Sequence, residues 1–122
     1  MAWKGDGQTL ASAAADNSVT VWDAETGDQR LTTAPFGRHV TALRFVGDGD
    51  TLATAGGDGV VRILNAANGG TVRTFPSLGS WIHSLDVTPG GEVLVVGPAD
   101  GILRGWNATT GQPLPPFEVV DR

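Results

Sequence analysis

Short runs of alternating apolar and polar residues, separated by glycine-centred turns, recur along the whole chain. The middle of the sequence shows the pattern best. From Val40 to Val46 the alternation puts Leu43 and Phe45 on one face, as a half-buried strand requires. Gly47-Asp48-Gly49 turns the chain into a second strand, Thr51 to Ala55. Gly57-Asp58-Gly59 leads into Val60 to Leu64, and Asn68-Gly69-Gly70 into Thr71 to Pro76. Glycine, Asn and Asp supply the positive φ angles that such tight turns demand. No window carries a 3.6-residue period, so the pattern predicts an all-β protein with almost no helix.

The pattern repeats with a period of 42 residues. That step relates Asp16, Asp58 and Asp100; Leu10, Leu52 and Leu94; and Gly27, Gly69 and Gly111. It also relates the bulky positions Trp22, Leu64 and Trp106, with no insertion or deletion between copies. The copies span approximately 1-36, 37-78 and 79-122. A β-sandwich also has many short strands, but it does not require the same residues at a fixed step.

The first copy contains Asp16-Asn17-Ser18-Val19-Thr20-Val21-Trp22-Asp23. The second has Asp58-Gly59-Val60-Val61-Arg62-Ile63-Leu64-Asn65 in register with it, and the third Asp100-Gly101-Ile102-Leu103-Arg104-Gly105-Trp106-Asn107. With its Trp-Asp pair and its period, the chain resembles the WD40-repeat β-propeller family over essentially its full length. The resemblance implies a WD40-type β-propeller segment with one four-stranded blade per copy. It also implies a network inside each blade joining a His, a Ser or Thr, an Asp and a Trp. By position, the first copy offers Ser12, Asp16 and Trp22. The second offers His39, Thr54 and Asp58 with Leu64 in place of Trp, and the third Asp100 and Trp106 with Trp81 in the His position. No copy has the whole set, so the three Asp side chains are expected to accept mainly turn backbone N–H groups.

Propellers close a ring of about four to eight blades. A three-blade arc leaves two apolar faces uncovered, so ring completion by oligomerisation is expected. Met1 aligns with Leu43 and Arg122 with Arg38, so a following copy would resume after a short gap. Two chains giving six blades are favoured over three giving nine, because nine lies outside the usual range. Membership of a longer propeller is the other way of covering the faces.

Candidate chemistry narrows the picture further. The formal net charge of -5 and eight scattered basic residues argue against nucleic acid as a partner. The absence of cysteine excludes disulfides and thiolate chemistry and suits a cytoplasmic location. The longest apolar run, Val93 to Val96, is far too short for a membrane span. With two His and no Cys, neither a metal nor another cofactor is expected. Ser80, His83 and Asp86 look triad-like, but a three-residue step along a strand alternates faces, so no catalytic residue is assigned.

The expected function is therefore a non-catalytic scaffold for protein–protein interaction. The resemblance places partner binding at the rim and channel mouth, where Arg38, His39, Thr41, Ser80, Trp81 and His83 fall. Inside the blade, His39 reads instead as a hydrogen-bond donor. Arg44 and Asp86 share one repeat position on neighbouring inner strands and form a candidate channel ion pair. Two other readings remain open: a propeller binding a glycan or small ligand, with Trp81 and Trp106 as stacking platforms, and a designed or minimal propeller fragment without an evolved ligand.

Overall fold

A computed structural model describes residues 1–5, 7–33, 35–47, 49–88 and 90–114, with the backbone of 117 and 118. Asp48 of the expected Gly47–Gly49 turn and the last residues of the third copy lie outside the described residues.

The described residues form three four-stranded antiparallel sheets and no helix. The first contains β1 (Ala2–Trp3), β2 (Thr9–Ala13), β3 (Val19–Asp23) and β4 (Gln29–Thr32). The second contains β5 (Val40–Val46), β6 (Thr51–Gly56), β7 (Val61–Asn65) and β8 (Thr71–Thr74). The third contains β9 (Ile82–Val87), β10 (Val93–Pro98), β11 (Ile102–Asn107) and β12 (Phe117–Glu118). Each sheet is a simple meander, so neighbours in sequence are neighbours in space.

The repeat carries its irregularities with it. The register slips between Val21 and Trp22 and again between Ile63 and Leu64, one repeat later. The matching place in the third sheet holds only a lone bridge from Trp106 to Pro113. Proline has no N–H to give an edge ladder, and Pro113 stands one repeat after Thr71, where β8 begins. Glycine is required at the β6–β7 turn. Gly59 has φ +72°, and a Cβ there would sit 2.8 Å from the Ser80 carbonyl oxygen.

No sheet has a core of its own; the cores lie between sheets. Ala11, Val19 and Val21 of the first sheet meet Leu43, Leu52, Leu64 and Ala66 of the second. Ala53, Ala55, Val61 and Ile63, on the opposite face of the second sheet, meet Ile82, Leu85, Leu94, Val96 and Trp106 of the third. The two interfaces use the same repeat positions, so one face of each sheet always packs on the opposite face of the next.

Three sheets therefore leave one face open at each end. The equivalent positions Val19, Val61 and Leu103 are 0%, 1% and 36% exposed, because among the described residues no further sheet packs on the last of them. At the other end Leu10 and Trp22 remain partly exposed, whereas Leu52 and Leu64 one repeat later are buried.

Position in the arc should therefore set the cost of a truncation. Leu94→Ala empties a buried site and should cost about 2–5 kcal/mol in urea unfolding. Leu10→Ala, at the same repeat position on the open face, should cost markedly less in the single chain. Equal losses at concentrations where the chain is a monomer would contradict the packing described.

Candidate functional site

The loop before β5, the β6–β7 turn and the segment before β9 meet at one end of the second and third sheets. Arg38, His39, Thr41, Gly57 and Trp81 line a shallow depression of 330 Å³ there. The His39 carbonyl accepts the Gly57 N–H at 3.0 Å, which holds the loop against the turn. Trp81 is 51% exposed, and its ring centroid lies 4.5 Å from that of His83 at a 45° tilt. Arg38 is exposed beside them.

The expected residues do not all share one role. Thr41 Oγ1 faces the Ile82 carbonyl at 2.5 Å and the Ala55 carbonyl at 3.2 Å, so its hydroxyl ties the second sheet to the third. Ser80 is not among the lining residues; its carbonyl borders Gly59 instead. His39 is exposed and, among the described residues, its ring makes no hydrogen bond, so it is not a blade-internal donor. Trp106 is 7% exposed and stacks on Phe75 at 4.8 Å, so it presents no open ring face for a sugar to stack on.

On the inner strands, Thr41 to Arg44, His83 to Leu85 and Met1 surround a smaller hollow of 230 Å³. Arg44 Nε stands 3.7 Å from Asp86 Oδ1, with both side chains well exposed. An exposed pair at that distance contributes about 0–1 kcal/mol, so Arg44→Ala strands no buried charge.

The Asp of each repeat organises its own turn. Asp16 Oδ1 accepts the Ser18 hydroxyl at 2.6 Å and the Ser18 N–H at 3.1 Å. Asp58 Oδ1 accepts the Val60 N–H at 3.0 Å, and Asp100 Oδ1 accepts the Ile102 N–H at 3.0 Å. In the first sheet Trp22 Nε1 donates to Ser12 Oγ at 2.8 Å. Among the described residues, the hydroxyl of buried Thr54 makes only a 3.5 Å contact, to the Arg62 carbonyl.

Family comparison agrees with this geometry. Residues 1–23 match the WD domain, G-beta repeat, and residues 30–83 match the WD40 domain of anaphase-promoting complex subunit 4. The two WD40 models together cover more than half of the chain. The chain belongs to the WD40-repeat family. No curated protein matches it. WD40 domains in general are non-catalytic interaction scaffolds.

Two features of these WD40 blades escaped the sequence reading. Arg62 and Arg104, four residues after the repeat Asp, close ion pairs with Asp58 at 2.9 Å and Asp100 at 3.0 Å. Arg62 also lies 4.8 Å over the Phe36 ring and so binds the second blade to the first. The residue after each bulky third-strand position, Asp23, Asn65 or Asn107, accepts the backbone N–H of the residue two further on. The period at 20, 62 and 104 reads Thr, Arg, Arg, and this was the available signal.

The turn contacts hold three carboxyls below the ordinary carboxylate value of 3.8. Asp16 is lowered by the Ser18 hydroxyl and N–H. Asp23 is lowered by the Glu25 and Thr26 N–H groups, and Asp100 by the Ile102 N–H and then Arg104. A pKa lowered by folding contributes stability above the unfolded value, which is lost as pH falls toward the folded one. Urea-derived stability should thus decline as pH drops below about 4. The Asp16→Asn/Asp100→Asn variant should show a shallower decline; an unchanged slope would assign the acid sensitivity elsewhere.

Proposed function

We propose that the chain is a non-catalytic WD40 scaffold that binds a protein segment at the Arg38–Trp81 depression and closes its ring with a second copy of itself. The observation carrying the binding reading is Trp81, a large side chain left half in solvent against His83 and next to Arg38. Trp and Arg dominate binding hot spots, and a shallow depression beside them suits a peptide better than an enclosed small molecule. Interface duty, not catalysis, is the work of this rim.

The two end faces support closure by a second copy. They are the two halves of the interface that already joins the blades inside the chain, so contact between copies is head to tail and can close. The two faces also differ in side-chain size. The first blade offers Trp22 where the second has Leu64, and the third offers Gly97 and Gly105 where the second has Ala55 and Ile63. A larger residue on one face thus meets two smaller ones on the other, and two chains give six blades.

A displayed peptide library selected on the whole protein tests the rim. Enriched peptides should bind wild type and weaken about tenfold or more against Trp81→Ala. No enrichment, or equal binding to Trp81→Ala, contradicts the rim assignment.

Closure is tested through the absence of natural cysteine. Lys4 and Asp50 bridge the first and second blades at 2.9 Å. Moved on by two repeats, that pair becomes Thr88 of one copy and Gln8 of the next. A short bis-maleimide should link the Thr88→Cys and Gln8→Cys single variants to each other, and neither variant to itself. Failure of the mixed link contradicts ring closure.

A further inference from the structure

At the outer edge of the second and third blades, away from the rim, a cleft of 450 Å³ opens between the β8–β9 connection and the segment after β11. Phe75, Leu78, Trp106, Pro113 and Leu114 form apolar walls, and Arg104 borders them. The first interface shows why the cleft exists. There the repeat position of Leu78 holds Phe36, whose ring lies under the Arg62 guanidinium. Leu78 brings no ring under Arg104.

The charges at the cleft are unbalanced in an acidic protein. Arg104 Nη2 binds Asp100 at 3.0 Å, but Arg104 Nη1 is buried without a hydrogen-bond partner. A buried donor left unpaired is costly, and an arriving acceptor removes that cost. A second guanidinium stands next to it: Arg73 lies directly against Gly111, which lines the cleft. Arg73 is exposed and makes no ion pair among the described residues.

We infer that this cleft is a second binding site, one that takes an acidic peptide segment bearing a bulky apolar side chain. The apolar side chain enters between Leu78, Trp106 and Leu114, and the peptide's carboxylates meet Arg104 and Arg73. The site shares no lining residue with the Trp81 rim depression and is distinct from it.

The probe is fluorescein-labelled Asp-Glu-Leu-Phe-Glu, acetylated and amidated in its unlabelled form for competition, with Lys-Lys-Leu-Phe-Lys as the charge-reversed control. Anisotropy should rise saturably with the acidic peptide and not with the basic one. Leu78→Phe, which restores the side chain found in the first interface, should weaken binding at least about tenfold. Arg73→Glu, at an exposed position, should do the same. Trp81→Ala should leave it unchanged. No saturable binding, equal binding of the basic peptide, or full affinity in Arg73→Glu would overturn the inference.

Discussion

Everything in this molecule depends on sheets packing face to face, because no sheet can bury its own apolar side chains. The 42-residue step makes the two internal interfaces nearly the same interface used twice. Leu52 and Leu94 seat themselves against Ala11 and Ala53 in succession, and each burial is complete. Burial of this kind is the main favourable contribution in a domain so rich in turns and so poor in charge. Polar contacts then set the blades in register. The Thr41 hydroxyl, the Lys4–Asp50 pair and the Arg62–Phe36 contact each cross from one blade to the next.

The strands and their spacing were legible because they depend on local rules. β5 begins and ends at Val40 and Val46, where alternation places it, and turns fall at the glycines. The turn role of the repeat Asp was legible for the same reason: a short carboxylate reaches the N–H two residues on, whatever surrounds it. Arg62 and Arg104 were not, since their value comes from what lies across the blade and beyond it. His39 shows the same limit in the opposite direction. Its position in the repeat suggested an internal donor, but its loop turns the ring out to solvent.

The outer cleft was illegible for a further reason. It arises from a difference between two copies, Phe36 against Leu78, that matters only once the next blade's Trp106 and Leu114 stand opposite. The rim also differs between copies, since Trp81 occupies a position that holds His39 one repeat earlier.

The central claim is that the open end faces are halves of one interface and close on a second copy. Light scattering coupled to size-exclusion chromatography, over a dilution series, tests it most directly. The account predicts a stable species of twice the 12.6 kDa chain mass. A folded species that keeps the mass of one chain at every concentration would contradict it.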